Sequence, residues 1–208
     1  MFKFNCINIL SITLILLSVI SLGIFIIINI PFLYYSSILM FHIDINSHKT
    51  INELMNNYYN IVTYLQSPFI DHLNASFLID RRGIHHFYNV KQLVIFNNLF
   101  MFFSFPISLK VYYKYAIKKF ISLWINFLKL TIYISIFMFV LIILDFNDIF
   151  IKFHQIFFNN NDWIFNIKQN PIILAFPDGY FFVCSLGLFS IFLFLCFFIL
   201  SKGKKELQ

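Results

Sequence analysis

Six histidines are the side chains of this sequence best suited to moving a proton near neutral pH. An imidazole has an ordinary pKa of about 6.5, so it can accept or donate a proton without a cofactor. His85 and His86 are adjacent, and His154 lies in an aromatic stretch that runs towards Asp162. These residue types indicate acid–base chemistry, provided that the fold brings the two segments together.

Each of these segments also has a purely structural interpretation. Segment 80–91 carries seven ionisable or imidazole side chains, as a solvated collar beside a membrane would, and Gly83 is expected to allow a turn there. His154 is equally consistent with an exposed position in an interfacial aromatic belt. No metal site is expected, because adjacent histidines point apart on regular structure and no His-Glu-x-x-His motif is present.

The elements that must position these residues are predicted to be membrane helices. The 208 residues are 60% hydrophobic and only 12% charged, whereas a soluble domain is about 25% charged. This composition excludes a disordered chain, and three cysteines are too few for a disulfide scaffold. Stretches that approach the roughly 20 apolar residues of a spanning helix lie at about 7–30, 92–109, 122–144 and 180–200. The chain is therefore predicted to be an all-α integral membrane protein with a single membrane domain, 1–208.

The distribution of charge predicts an orientation for these four spans. The two termini and the inner loop, about 110–121, lie on one side with nine cations and one acid, Glu206, if Lys129 is counted with them. The other side holds six cations and eight acids, in outer loops of about 31–91 and 145–179. Because basic loops stay inside, the termini are expected to be cytoplasmic and all six histidines to lie outside.

The first outer loop contains a predicted amphipathic helix. Thr50 and Glu53 match a capping box, apolar residues recur at helical spacing after them, and Ser67-Pro68 ends the pattern. Such a helix would lie on the membrane surface or cover the spans. There is no glycine-rich phosphate loop and no basic stripe, so neither nucleotide nor nucleic-acid binding is expected.

Two motifs, taken in order, resemble those of one bacterial membrane-protein family. His86-x-x-Asn89-Val90-Lys91 resembles the His-x-x-Asp-Val-Lys element of the lipoprotein intramolecular transacylase (Lit) family, with Asn89 where that family usually has aspartate. The second outer loop resembles the loop that leads into the last span of the family. Its matching elements are Phe153-His154-x-Ile156-Phe157-Phe158, Trp163, Asn170-Pro171-Ile172-Ile173 and Phe176-Pro177-Asp178-Gly179-Tyr180-Phe181-Phe182.

The resemblance implies an acyltransferase of the outer face of a bacterial plasma membrane. Its substrates would be diacylglyceryl-modified lipoproteins, with membrane lipid around them. An acyl chain would move from the sn-2 glyceryl ester to the free amine of the N-terminal cysteine, giving the lyso form without a cofactor. His86 and His154 would be the catalytic pair. The candidates for oxyanion stabilisation or a supporting role are Lys91, Arg81, Arg82, Asn89 and Asp162.

Two other functions remain as alternatives to the enzyme. A non-enzymatic membrane scaffold would use the outer loops to bind a partner. A transporter is less favoured, since Lys129 is the single candidate for an ionisable residue within a span and no inverted repeat is visible. The oligomeric state does not follow from the sequence.

Overall fold

The structure, a computed structural model, describes residues 6–116 and 121–205. Regular structure in these ranges is helical throughout, with no β-strand. The α-helices are α1 (Cys6–Ile28), α2 (Pro31–Phe41), α3 (Ile43–Ser47), α4 (Ile51–Gln66), α5 (Arg81–Ala116), α6 (Ile121–Leu144), α7 (Phe146–Phe157) and α8 (Asp178–Lys205). A single 3₁₀ turn, Pro171–Leu174, precedes α8.

Four of the described helices, α1, α5, α6 and α8, are long and apolar enough to cross a membrane. Helix α1 packs against α5 and α8, and α6 packs against α8, so the four form a bundle. Two connections join the helices at the histidine end of this bundle: the first is 29–80, between α1 and α5, and the second is 145–177, between α6 and α8. At the other end, residues 117–120 of the predicted inner loop lie outside the described residues.

Helix α5 is much longer than the predicted second span at 92–109. It begins at Arg81 because the Asp80 carboxylate caps it, accepting a hydrogen bond from the Gly83 amide at 2.7 Å. The turn expected at Gly83 is therefore wrong. The glycine is needed for another reason: a Cβ there would lie 2.5 Å from the Asn170 side-chain oxygen, which packs over the first turn of the helix. That oxygen also accepts a hydrogen bond from the Asp80 amide, at 2.8 Å.

The amphipathic helix predicted in the first outer loop is confirmed as α4, with both hydrogen bonds of the Thr50–Glu53 capping box. Its apolar face, which includes Leu54 and Tyr58, is buried, and the helix packs against α5 and α2. A second such helix, α7, occupies the stretch interpreted as an aromatic belt. Asp145 caps its start by accepting a hydrogen bond from the Asp148 amide at 3.1 Å.

A line of hydrogen-bonded polar side chains, here called the polar seam, joins α1 to α5 inside the bundle. Ser18 bonds to the hydroxyls of Ser104 and Ser108 at 2.8 and 2.7 Å. About one turn further along α1, the Ser21 hydroxyl donates to the Asn97 side-chain oxygen at 2.8 Å. Helix α5, which carries His86, is thus held to α1 by bonds that hydrocarbon cannot replace.

An aromatic cluster ties the two connections together. Tyr34 is fully buried, stacks between Tyr58 and Phe176 with both ring centroids at 5.0 Å, and donates its hydroxyl to the Ala175 carbonyl at 2.9 Å. Tyr180, in the first turn of α8, meets the Tyr34 ring edge-on at 5.2 Å. The second connection is therefore fixed at its C-terminal end.

Candidate active site

The structure brings His86 of α5 and His154 of α7 together, although they lie 68 positions apart in the sequence. Their ring centroids are 5.8 Å apart, with an angle of 36° between the rings. Each side chain is only 8% exposed. The interpretation of His154 as an exposed residue is therefore wrong, because α7 turns it inward onto α5.

Aromatic side chains surround the pair and form what is here called the aromatic box: Phe150, Phe158, Trp163 and Phe165. Phe158 contacts both imidazoles, with centroids at 4.9 Å from His86 and 5.5 Å from His154. Trp163 lies 4.8 Å from His154, and Phe165 meets His86 edge-on at 5.6 Å. The box excludes water from most of the two rings, and so strengthens any polar interaction that they make.

The surroundings of His154 define which of its nitrogens carries the proton. Its Nδ1 lies 2.7 Å from the carbonyl oxygen of Phe150, one turn earlier in α7. A carbonyl only accepts hydrogen bonds, so Nδ1 is protonated and Nε2 of the neutral ring keeps a lone pair. Burial lowers the pKa of His154 below its ordinary value, against the opposing effects of the Phe150 carbonyl and the negative charge of Asp178. His154 is therefore a neutral imidazole with Nε2 ready to accept a proton.

His86 differs from His154 in its hydrogen bonding. Its Nδ1 is buried and makes no hydrogen bond within the described part of the chain. Buried polar atoms without a partner are rare in proteins, and each costs about 1–3 kcal/mol. The fold tolerates this cost at a position directly beside a second histidine, which is typical of a functional site.

A three-residue ionic contact, here called the clamp, holds the second connection over the pair. The Asp162 carboxylate accepts hydrogen bonds from Arg82 Nε at 3.0 Å and from His85 Nδ1 at 2.7 Å. Arg82 also donates to the Asn161 carbonyl at 2.6 Å. The hydrogen bond from His85, followed by that from Arg82, lowers the pKa of Asp162. Trp163 follows Asp162 directly, so the clamp fixes the ring that covers His154.

Lys91 lies on a different side of α5 from His86. Five helical residues rotate the direction of a side chain by about 140°, and Lys91 accordingly faces the first connection. It is 5% exposed, donates to the Ile70 carbonyl at 2.5 Å and lies 4.4 Å from the centre of the Tyr64 ring. These contacts anchor the irregular chain after α4 to α5 and do not involve the histidine pair.

The other two predicted supporting residues make no polar contact with the pair. Arg81 is exposed at the start of α5, and Asn89 is half-buried one turn after His86. Neither side chain has a hydrogen bond or ion pair within residues 6–116 and 121–205. The structure thus groups His86, His154, Arg82 and Asp162 together, while Arg81, Asn89 and Lys91 lie outside their contacts.

Several residues of the site lie outside the predicted catalytic and supporting residues. His85 belongs to the clamp, and the box needs Trp163, Phe158 and Phe165. Phe158 and Trp163 belong to the elements that resemble the family, but nothing local distinguishes Phe165 from the many other phenylalanines. Among the described residues, no group of three or more histidine, cysteine or acidic side chains could hold a metal ion.

Comparisons with solved structures show a shared fold. A structure of the membrane-integral lipoprotein intramolecular transacylase Lit from Bacillus cereus has a TM-score of 0.85 and 24% identity, over 97% of this chain and 94% of that one. Two structures of the same protein, with a histidine replaced by arginine or by alanine, have TM-scores of 0.77 and 25% identity, over 97% of this chain and 90% and 92% of theirs. No curated protein sequence matches significantly.

Sequence comparison with protein families gives the assignment. The family model described as lipoprotein intramolecular transacylase Lit matches residues 9–181, a range that includes both histidines of the pair. The four apolar helices and the shared fold make the chain a multi-pass membrane protein. It belongs to the lipoprotein intramolecular transacylase Lit family, and is thereby an acyltransferase of the membrane.

Proposed function

We propose that this chain catalyses an intramolecular acyl transfer on bacterial lipoproteins whose N-terminal cysteine carries a diacylglyceryl thioether and a free amine. The acyl chain moves from the sn-2 ester oxygen to the amine, which leaves a monoacylglyceryl, N-acylated cysteine. The observation that carries this proposal is the buried pair His86 and His154, 5.8 Å apart in an aromatic box of a Lit-family chain.

His154 is the general base of the proposed reaction. The neutral amine attacks the sn-2 carbonyl carbon and gives one proton to Nε2, the nitrogen left free by the Nδ1 hydrogen bond to Phe150. The resulting imidazolium protonates the sn-2 oxygen as its bond to the carbonyl carbon breaks. The product is an isomer of the substrate, so no water, nucleotide or other co-reactant enters the balance.

His86 stabilises the negative charge that develops on the carbonyl oxygen in the same step. When its unpartnered Nδ1 carries the proton, that N–H can donate to the oxyanion that develops on the carbonyl oxygen. The box keeps water away from this hydrogen bond. Because amine and ester belong to one molecule, correct positioning contributes at best about 7–11 kcal/mol more.

The proposed orientation follows from charge. We infer that the histidine end of the bundle faces the outside of a bacterial plasma membrane and that both termini are cytoplasmic. The lysines at and near the chain between α5 and α6 and at the end of α8 support this orientation, since basic segments stay inside. They are Lys110, Lys114, Lys118, Lys119, Lys202, Lys204 and Lys205. Lipid-anchored substrate on the outer surface would then reach the pair from the membrane.

Mass spectrometry of lipoprotein N-termini tests the proposal. Cells that make a diacylglyceryl, free-amine lipoprotein should show the N-acyl, monoacylglyceryl form once this chain is expressed. His86→Ala and His154→Ala should each reduce conversion by roughly 10²- to 10⁴-fold, while His72→Ala, at an exposed residue of the first connection, should convert normally. Unchanged free-amine termini in the presence of the wild-type chain would refute the function.

A further inference from the structure

Helix α7 carries an apolar surface that stays exposed, here called the outer stripe. It consists of Phe153, Ile156 and Phe157, whose spacing places them on one side of the helix. All three residues are exposed, Ile156 the most at 77%. The Phe153 and Phe157 rings contact each other with centroids 4.6 Å apart, so the stripe is continuous. The half-buried Ile149 extends it back along α7 towards α6.

The other two sides of α7 have defined surroundings. On the bundle side, the Phe146 and Phe150 rings contact phenylalanines of α8 at 5.4 and 5.5 Å, and His154 meets its partner on α5. On the polar side, Asp148 and Lys152 are exposed and form an ion pair. At about 100° per residue, the outer stripe lies between these two sides. The helix therefore has one side for the bundle, one for water and an apolar side between them.

The outer stripe begins where the lipid-facing surface of α6 ends. Val140, Ile143 and Leu144, in the last two turns of that span, are apolar and exposed, as side chains against acyl chains are. Asp145 then caps α7 directly, so a single residue separates the two helices. Helix α7 thus starts at the end of a span, and its exposed apolar side continues a surface that faces lipid.

We propose that the outer stripe inserts into the leaflet at the histidine end of the bundle and holds the aromatic box at the boundary between lipid headgroups and acyl chains. An amphipathic helix at a bilayer surface buries its apolar face about 5–10 Å into this boundary and keeps its charged face in water. The outer stripe and the Asp148–Lys152 pair match those two faces.

The seat of α7 in the leaflet has a consequence for the substrate, which rests on the proposed function. The glyceryl esters of a lipid join its polar end to its acyl chains, so they lie at the same boundary. A bilayer-anchored diacylglyceryl cysteine therefore presents its sn-2 ester at the level of His154 while its acyl chains stay in the leaflet. A lipopeptide dissolved in water does not depend on the stripe in this way.

Fluorescence quenching by brominated lipid tests the position of the stripe. Ile156→Trp and Ile151→Trp are each made in Trp163→Phe protein, in phosphatidylcholine vesicles whose acyl chains carry bromine near the ester. Ile151 is the matched control, because it is also an exposed isoleucine of α7 but lies on the polar side, between Asn147 and Gln155. After subtraction of the remaining native tryptophan, Ile156→Trp should lose several-fold more emission than Ile151→Trp. Equal quenching at both positions overturns the proposal, as does an unquenched Ile156→Trp, which is the result if a second copy of the chain covers the stripe.

Activity on two substrates tests the consequence for the reaction. The substrates are a long-chain diacylglyceryl lipopeptide anchored in the vesicles and a short-chain lipopeptide that stays in water. Ile156→Asp should lower kcat/KM for the anchored substrate roughly tenfold, because a carboxylate is costly at the edge of the hydrocarbon, and leave the value for the short-chain substrate close to wild type. Ile151→Asp should retain both values. Equal loss on both substrates, or on neither, overturns the proposal.

The two experiments separate failure of this inference from failure of the proposed function. Quenching requires no turnover, so preferential quenching of Ile156→Trp supports the seat of α7 even if the wild-type chain converts neither substrate, a result that refutes the function. Conversion of lipoprotein by a chain whose outer stripe is not quenched refutes the seat and retains the function.

Discussion

The aromatic box and the polar seam both contain buried polar side chains of helix α5, but they differ in whether those side chains are hydrogen-bonded. In the seam, the Ser18 hydroxyl bonds to Ser104 and Ser108 and to the Leu14 carbonyl. In the box, His86 keeps a buried nitrogen without a partner. His86, Ser104 and Ser108 all lie on the continuous helix α5, so the difference does not arise from separate folding units.

This difference separates stabilising polar groups from reactive ones. A polar group inside a membrane protein is retained at low cost when it is fully hydrogen-bonded, and its replacement affects mainly the fold. A buried group without a partner costs free energy in the folded state, and its replacement affects mainly the chemistry. The two regions should therefore respond to substitution in opposite directions.

His86→Phe should show the largest separation of activity from stability. Phenylalanine keeps a ring against Phe158 and Phe165 and removes the unpartnered nitrogen. Conversion should fall by roughly 10²-fold or more, while the free energy of unfolding stays equal or rises by about 1 kcal/mol. Lipoprotein conversion and thermal melting of the purified protein measure the two effects. A large loss of stability would mean that the unpartnered nitrogen does not destabilise the folded protein.

The pH dependence of kcat/KM tests the state of His154. The substrate must react as a neutral amine, so log kcat/KM should fall with a slope of about one per pH unit below the amine pKa of about 7.7–8.0. Burial lowers the pKa of His154, so the imidazole remains neutral below pH 6.5 and the slope of one continues past that value. A slope of two that begins already at pH 6.5 would contradict the buried, neutral base.

The clamp should have an intermediate effect, since it acts on the box from its rim. Asp162→Ala removes the acceptor for Arg82 and His85 and releases the chain that carries Trp163. We expect kcat to fall roughly tenfold, and at most about 100-fold, the cost of a ~1 Å misplacement.

The matched control for the clamp is Asp148→Ala, which removes an ion pair on the exposed side of α7. Tryptophan fluorescence reports whether the Trp163 ring leaves His154. Trp163→Phe is the reference variant, because its emission comes from the other tryptophan alone. An Asp162→Ala variant with normal kcat would assign the clamp to the fold alone.

The sequence predicts those parts of the molecule that depend on neighbouring residues. Four apolar helices follow from local hydrophobicity, and α4 follows from the Thr50–Glu53 capping box. The extension of α5 to Arg81 was also accessible locally, through the cap that Asp80 provides. The predicted turn at Gly83 is wrong because the role of this glycine depends on Asn170, which no local pattern connects to it.

The site itself depends on contacts between distant segments. The meeting of His86 with His154 requires the packing of α7 over α5, which spacing along the chain does not encode, and only the family resemblance pointed to it. The separation of Lys91 from the pair follows from helical rotation. The rotation applies because α5 begins at Arg81, before the predicted span, and so carries both His86 and Lys91.

Substitution in the polar seam should have the smallest effect, and it should lower stability while leaving activity unchanged. Ser18→Ala removes the hydroxyl that bonds to Ser104 and Ser108, and interhelical hydrogen bonds in membranes contribute about 0.6 kcal/mol on average and at most about 1.7. Stability in a detergent-unfolding titration should fall by that amount with turnover unchanged. Ser190→Ala, at an exposed serine that bonds only within α8, should change neither quantity. A loss of turnover in Ser18→Ala at full stability would place the seam in the chemistry and remove the distinction between the two regions.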